Sequence, residues 1–318
     1  MKISSDGKPR LDVRDSRPRE KCAPLRSQGC PGHFQLEMRG DSCDVPNQPH
    51  PMPSLRHALL ILLIAGASLT ARADDVLFIG NSFTFGATAP KVQKNGGAPK
   101  LFEEIATDKG RKVATAAVTG GGKDLAWHLA QPATDKALGS KTWTWVVLQD
   151  YSTRPTRLGK VEEFIHDGEA FSERIAQNSP RAGIVLYETW ARPPGAFYLL
   201  KPNFGPEQMM RELHENYGRL RDDLATKYPG REARVAPVGT AFARDAAEYP
   251  AINLDAADHH HATAEGYYLA ALVIYETIYH DSAKGAPVSF FHGEVVFPED
   301  VAVKLQAVAD EAAGGGGK

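Results

Sequence analysis

Short apolar runs that alternate with longer amphipathic stretches restrict the fold of this 318-residue chain more than any other feature. Five of these runs are predicted to be strands, because each is short and almost continuously apolar. Such runs are typical of parallel strands that are buried on both faces. The predicted strands lie at 76–80, 112–119, 143–149, 183–188 and 234–238.

Helices are predicted between and after these strands. The alternation of strand and helix predicts an α/β fold, with right-handed crossovers and a roughly five-stranded parallel sheet between two helical layers. The 245 residues from Asp74 to Lys318 suffice for a single α/β domain of this three-layer α/β/α type. The predicted helices are 99–109, 124–131, 160–178, 206–227, 263–279 and 299–312, and residues 314–317 form a flexible glycine tail.

The first part of the chain does not resemble a folded domain. Residues 1–51 are rich in Pro, Arg, Asp and Ser and have no apolar periodicity, so we predict that they are disordered. Residues 52–73 have a basic start, a short apolar run and an A-x-A site at Ala71-Arg72-Ala73, which predicts a secretory signal peptide. Met52 is then the true start of translation, and a real cytoplasmic extension is the alternative.

The positions of the cysteines and the net charge agree with an exported protein. All the cysteines precede Met52, so the chain from Asp74 has neither disulfides nor a lipid-attachment cysteine. That part carries 26 Lys plus Arg against 32 Asp plus Glu, a net charge of −6, which disfavours nucleic acid and anionic lipid as partners. We therefore predict a secreted or periplasmic protein without a stable membrane anchor after signal cleavage. The cysteines are Cys22, Cys30 and Cys43.

Polar and glycine residues follow four of the predicted strands. Ser82 follows the first strand, Gly120-Gly121-Gly122 the second, and Thr189-Trp190 the fourth, while Gln149 ends the third. Ligands of parallel α/β sheets bind at the carboxyl ends of the strands, where these segments meet. The sequence therefore predicts one binding site at this edge.

Ser82 is a candidate nucleophile. Gly80 allows a sharp turn as the chain leaves the strand, as in a nucleophile elbow, but the second glycine of G-x-S-x-G is absent. A serine hydrolase other than an α/β-hydrolase is thus favoured. The alternative is that Ser82 only caps the helix after the strand.

Asp258 and His261 are candidates for the acid–base pair that a serine nucleophile needs. On a turn that leads into a helix, a separation of three residues can present both side chains to one side. The alternative is a surface loop whose Asp258 caps the helix near Thr263, and Asp255 is a weaker candidate carboxylate. The run His259-His260-His261 raises a metal site as another alternative. Consecutive side chains point in different directions and H-E-x-x-H is absent, so we predict no metal and no other cofactor.

Two blocks resemble those of the SGNH (GDSL-like) hydrolases. Residues 78–84 (Phe-Ile-Gly-Asn-Ser-Phe-Thr) resemble the family's first block, in the branch with a GNSFT-type sequence. Residues 258–271 resemble its final block, in which Asp and His three apart precede a Gly-Tyr helix. The resemblance implies a flavodoxin-like three-layer fold and the hydrolysis of carboxylic esters.

The resemblance also implies roles for individual residues. Ser82 matches the nucleophile, His261 the general base and Asp258 the residue that orients it. The oxyanion hole would use the Ser82 N–H, the N–H of Gly122 or Gly121, and an Asn side chain after the third strand. The family's Gly-x-Asn-Asp block is absent here, and Gln149, whose carboxamide offers the same donors, stands in its place. Alternatively, Gln149 only satisfies backbone groups at the strand end.

The substrate is less defined by the sequence. Trp190 is a candidate for lining the substrate pocket, with a core position as the alternative. Arg192 is expected to be an ordinary solvated charge rather than a carboxylate-binding group. By resemblance, the substrate is a carbohydrate O-acyl ester or a small lipid ester. A non-catalytic binding module with a degenerate oxyanion hole is the competing class of function.

Overall fold

The computed structural model of the chain describes residues 73–196 and 204–314, which fall within one compact unit, Ser68–Lys318. Residues 1–51, nearly all of the predicted signal peptide, the three cysteines and the end of the glycine tail lie outside the described residues. These predictions therefore stay predictions.

The five predicted strands form one sheet in which every neighbouring pair is parallel. Their order is β2-β1-β3-β4-β5, so the chain runs from β1 to one side and then crosses to the other. This reversal creates a crevice at the carboxyl ends of β1 and β3, where α/β sheets bind ligands. The strands are β1 (Asp74–Gly80), β2 (Val113–Thr119), β3 (Trp145–Leu148), β4 (Gly183–Tyr187) and β5 (Ala233–Ala236).

Helices cover both faces of the sheet and include several that the sequence did not predict. They are α1 (Ser82–Phe85), α2 (Pro90–Lys94), α3 (Gly97–Asp108), α4 (Leu125–Leu129), α5 (Pro132–Leu138), α6 (Val161–Asn178), α7 (Pro206–Lys227), α8 (Val238–Glu248), α9 (Ala264–Tyr279) and α10 (Glu299–Ala313). A short hairpin, β6 (Ser289–Phe290) and β7 (Val295–Val296), precedes α10.

Alternate residues of β1, an interior strand of the sheet, enter two separate cores. Val76 and Phe78 of β1 pack in the core that contains α3, α9 and α10. Leu77 and Ile79 pack in the other core, with α6 and α7. Because successive strand residues face opposite sides, this division shows two helical layers around the sheet. The predicted three-layer α/β/α class is confirmed.

Helix α9 anchors the segment that carries Asp258 and His261. All of its residues from Gly266 to Ile278 are buried, as expected for a helix that is apolar all round. The Thr263 hydroxyl caps it by accepting a 3.3 Å hydrogen bond from the Gly266 N–H.

Over residues 73–196 and 204–314, no helix combines the length and apolarity that crossing a membrane requires.

Candidate active site

Ser82 is the first residue of α1, directly beyond β1, and only 7% of its surface is exposed. Asn81 is the residue that caps α1, since its side chain accepts a 3.1 Å hydrogen bond from the Phe83 N–H. The interpretation of Ser82 as the helix cap is therefore wrong. The Ser82 hydroxyl makes no hydrogen bond with any described residue, which leaves it available for chemistry.

Gln149, at the end of β3, is bonded to the segment that carries Ser82. Its Oε1 accepts hydrogen bonds from the Asn81 N–H (2.8 Å) and the Thr84 hydroxyl (3.0 Å), and its Nε2 donates to the Asp150 carbonyl. These backbone partners set the orientation of the carboxamide, because an N–H must donate and a carbonyl must accept. A Cβ on Gly80 would lie 2.7 Å from Gln149 Oε1, so this contact requires glycine. Gln149 thus satisfies backbone groups, and its second N–H is unused by the described residues.

Asp150 was not among the predicted site residues. Its Oδ1 accepts hydrogen bonds from the N–H groups of Leu125 (3.0 Å) and Tyr151 (2.6 Å), which join the end of β3 to α4. Burial raises the pKa of Asp150 to about 7, although these bonds and the Arg154 guanidinium act to lower it. Asp150 holds the backbone that carries Gln149.

The glycine turn after β2 lies against the Ser82 segment. The Asn81 side-chain amide donates to the Lys123 carbonyl at 2.9 Å, and the Gly120 N–H donates to the Gly80 carbonyl at 3.0 Å. Gly122 has a φ of +67°, a conformation that favours glycine. The turn is therefore held beside Ser82, with Gly121 and Gly122 both within it.

Asp258 and His261 are in direct contact. Asp258 Oδ2 lies 2.6 Å from His261 Nδ1, and its Oδ1 accepts hydrogen bonds from the His260 and His261 N–H groups at 3.0 and 2.9 Å. Burial acts to raise the pKa of Asp258, but these hydrogen bonds prevail and lower it to about 2. Asp258 is therefore ionised and bonded to its own loop, so the interpretation of it as the α9 cap is wrong.

The contact with Asp258 defines the tautomer of His261. A proton on Nδ1 donates to the carboxylate, which leaves Nε2 as the basic nitrogen. His261 Nε2 is buried and has no hydrogen-bond partner. The Phe83 ring, next to Ser82 in sequence, has its centroid 5.6 Å from that of His261. The Ser82 and His261 segments are thus neighbours, although no hydrogen bond joins Ser82 Oγ to His261 Nε2.

Two further hydrogen-bonding groups link these segments. The Tyr267 hydroxyl of α9 donates to the carbonyls of Ser82 (3.3 Å) and Ala87 (2.8 Å). The Thr88 hydroxyl donates to the carbonyl of Ala262, the residue after His261, at 2.9 Å. Their partners are more than 170 residues apart in sequence, so no local pattern could have predicted the links.

Arg192 is fully buried, so the expectation of a solvated charge is wrong. Its guanidinium donates to the His260 carbonyl at 3.2 Å and to the Ser152 hydroxyl. It also lies over the Phe83 ring, 5.3 Å from the centroid. Burial, together with the nearby charge of Arg192, lowers the pKa of His260 to about 4. Arg192 therefore joins the loop after β3 to the loop that carries His261.

Trp190 is a core residue that also lines a cavity. Only 1% of its surface is exposed, and it stacks between Phe83 (4.2 Å between centroids) and Phe242 (4.4 Å). A cavity of about 410 Å³ lies beside it.

In the described part of the chain, no three His, Cys, Asp or Glu side chains are arranged to hold a metal ion.

Comparison with known proteins defines the class of fold. No protein-family model and no curated protein matches the chain. The structure is similar to a DUF4886 family protein from Bacteroides uniformis ATCC 8492, with a TM-score of 0.59 and 16% identity over 76% of this chain and 95% of that one. It is also similar to a proposed SGNH hydrolase from Slackia heliotrinireducens, with a TM-score of 0.51 and 27% identity over 65% of this chain and 100% of that one. The chain therefore has the fold of the SGNH hydrolases.

Proposed function

We propose that this protein is an exported ester hydrolase in which Ser82 is the nucleophile, His261 the general base and Asp258 the residue that orients the base. The observation that carries the proposal is the 2.6 Å contact between Asp258 Oδ2 and His261 Nδ1, beside a buried serine at the end of β1. The SGNH-type fold and the 27% identity to a proposed hydrolase of that class support it.

The first half of the reaction forms an acyl-enzyme. His261 Nε2 removes the Ser82 hydroxyl proton as Oγ attacks the carbonyl carbon of the ester. The imidazolium that forms is stabilised by ionised Asp258. It then returns the proton to the leaving alcohol oxygen as the tetrahedral intermediate collapses to the acyl-enzyme.

The second half releases the acid. His261 takes a proton from water, whose oxygen attacks the acyl carbon, and collapse of the second intermediate returns the proton to Ser82 Oγ. In both intermediates the oxyanion accepts hydrogen bonds from the N–H groups of Ser82 and Gly122 or Gly121. The unused N–H of Gln149 is the third donor.

No hydrogen bond joins Ser82 Oγ to His261 Nε2 in the structure. Catalytic hydrogen bonds are often long before substrate binds and tighten in the bound complex. The reaction therefore needs a movement that brings Oγ to Nε2. Substrates in this proposal are carbohydrate O-acyl esters or small lipid esters, and the chemistry uses no metal ion.

Hydrolysis of p-nitrophenyl acetate by purified protein tests the proposal. We expect turnover that resists a chelator and that falls on the order of 10³-fold or more in Ser82→Ala. Ser289→Ala, at an exposed serine on β6, is the matched control and should retain the wild-type rate. An unchanged rate in Ser82→Ala removes Ser82 from the mechanism.

One observation favours a second function, a non-catalytic binding module. The Gln149 carboxamide uses its oxygen and one of its two N–H groups for bonds to the backbone, which leaves a single N–H for an oxyanion. A correctly folded wild-type protein that turns over no short ester at all supports this second function and contradicts the first.

A further inference from the structure

A cavity of about 410 Å³ borders the candidate active site. Its walls come from the segment after β4, from the first turns of α7, from α8 and from the loop before Asp258. Trp190 links it to the nucleophile segment by stacking on Phe83 at 4.2 Å. The loop links it to the base, since the Ala256 N–H donates to the His261 carbonyl at 2.8 Å. The lining residues that matter here are Trp190, Arg192, Phe242, Asp245, Leu254 and Asp255.

Two carboxylates line this cavity without a hydrogen bond to any described residue. Asp245, on α8, is only 1% exposed, and its Oδ1 is a buried atom without a partner. Asp255 Oδ1 is likewise buried without a partner. Burial raises the pKa of both groups, that of Asp245 to about 6. Leaving such groups unpaired costs folding free energy, which a ligand that donates hydrogen bonds would offset.

The wall of the same cavity contains an unpaired donor. The indole N–H of Trp190 is buried and has no hydrogen-bond partner. An ammonium group would satisfy the two carboxylates but would leave this N–H unpaired, because an ammonium has no acceptor. A hydroxyl both donates and accepts, so vicinal hydroxyls can serve both kinds of group. The charge of Arg192, which acts on Asp255, also reduces the need for a second cation.

We infer that this cavity is the subsite for the polyhydroxylated part of the ester, a sugar or another polyol, whose hydroxyls donate to Asp245 and Asp255 and accept from Trp190. This inference rests on the proposed function for its link to catalysis. The binding itself does not depend on turnover. Phe242 and Leu254 supply apolar surface beside these groups, and the lower local dielectric there strengthens hydrogen bonds to the carboxylates.

Calorimetric titration of the full chain carrying Ser82→Ala tests the subsite, because this variant cannot turn over and leaves the cavity intact. The probes are methyl pentopyranosides, methyl hexopyranosides and glycerol, with ethanolamine as the cationic probe. We expect at least one glycoside to bind, and to bind at least about tenfold more weakly when Asp245→Asn is added. Asp108→Asn, at an exposed acid on α3 away from the cavity, is the matched control and should leave binding unchanged.

Three results would overturn the inference. They are no binding by any hydroxylated probe, binding that Asp245→Asn leaves unaltered, and binding of ethanolamine in preference to every glycoside. Asp245→Asn removes a buried, unpaired charge, so we expect it to fold, and a melting curve checks this.

Kinetics separate a failure of the subsite from a failure of the proposed function. These measurements use protein that retains the native Ser82. There, Asp245→Asn should reduce kcat/KM for an acetylated methyl glycoside about tenfold more than it reduces kcat/KM for p-nitrophenyl acetate. Equal losses on both esters overturn the subsite and leave the esterase proposal standing. Glycoside binding without any ester turnover contradicts the esterase proposal and leaves the subsite standing.

Discussion

The nucleophile half and the acid–base half of the candidate site are held in place in different ways. Ser82 is buried at the junction of β1 and β3, where Gln149 bonds directly to its segment. Asp258 and His261 occupy a partly exposed loop outside the sheet, and 41% of the Asp258 side chain is accessible. The sheet therefore positions the nucleophile, whereas side-chain hydrogen bonds position the base. Substitution of Asp258, which is partly exposed, should therefore separate a loss of rate from a loss of stability more cleanly than substitution of the buried Gln149.

The largest effect that sharpens this comparison is expected for Asp258→Asn. An amide N–H₂ facing Nδ1 favours the tautomer with the proton on Nε2, so the rate should fall on the order of 10³-fold or more. The melting temperature should change little, because Asp258 is partly exposed. Ester turnover and thermal unfolding measure the two effects.

Asp300→Asn, at an exposed acid on α10, is the control for Asp258→Asn and should match the wild type in both measurements. Wild-type turnover in Asp258→Asn would show that Asp258 does not orient His261.

In the nucleophile half, Gln149→Glu keeps an acceptor for the Asn81 N–H but removes the amide donors. The loss of one oxyanion-hole donor predicts a fall in kcat of about 100-fold or more. The loss of the bond to the Asp150 carbonyl should lower the melting temperature as well. Gln93→Glu, on the exposed side of α2, serves as the control. A normal kcat in a destabilised Gln149→Glu would assign Gln149 a purely structural role.

Arg192→Met tests the anchors of the acid–base half. The substitution leaves the His260 carbonyl and the Ser152 hydroxyl without their donor, and we expect a loss of about 3 kcal/mol in unfolding free energy from these two unsatisfied groups. Displacement of the loop should reduce kcat between about 10-fold and 100-fold. Arg192→Lys keeps the charge without the planar fork and should recover part of both losses. Wild-type stability in Arg192→Met would contradict the role of Arg192 as an anchor.

The smallest expected effect is the pH dependence of the Asp258 contribution to stability. The pKa of this carboxyl is lowered to about 2 in the folded protein, so its contribution is complete above about 4, the usual value for an unfolded chain, and is lost as the pH falls through 2. The difference in unfolding free energy between wild type and Asp258→Asn should shrink over that range. Because Asp258 is partly exposed, the change should stay below about 1 kcal/mol. A difference that grows towards pH 2 would contradict the assigned sign.

The sequence predicted the sheet well because its strands are short, apolar and separated by helices. It also identified the segments at the carboxyl edge, since parallel strands bring their ends together. Ser82, Asp258 and His261 could be selected because their chemistry depends on local motifs. The end of β5 was predicted less accurately. The predicted strand 234–238 included Pro237, which caps α8, and Val238, which is the first residue of α8.

Features that depend on distant partners could not be predicted. Arg192 is charged and follows a strand, and its burial depends on contacts with Ser152 and His260, which lie 40 and 68 residues away in the sequence. In the sequence, Asp245 resembles an ordinary exposed acid. Its burial follows only from the packing of α8 in the folded protein. Thr88 and Tyr267 likewise acquire a role only when α1 and the His261 loop meet. Such contacts follow from tertiary packing and leave no periodic signal in the sequence.

The central claim is that Ser82 is a nucleophile activated by His261. Labelling with a fluorophosphonate, followed by mass spectrometry of the peptides, tests it without knowledge of the natural substrate. We expect a single covalent adduct on Ser82 that is absent in Ser82→Ala and forms much more slowly in His261→Ala. An adduct on another serine, or labelling of Ser82 at the same rate in His261→Ala, would contradict the claim.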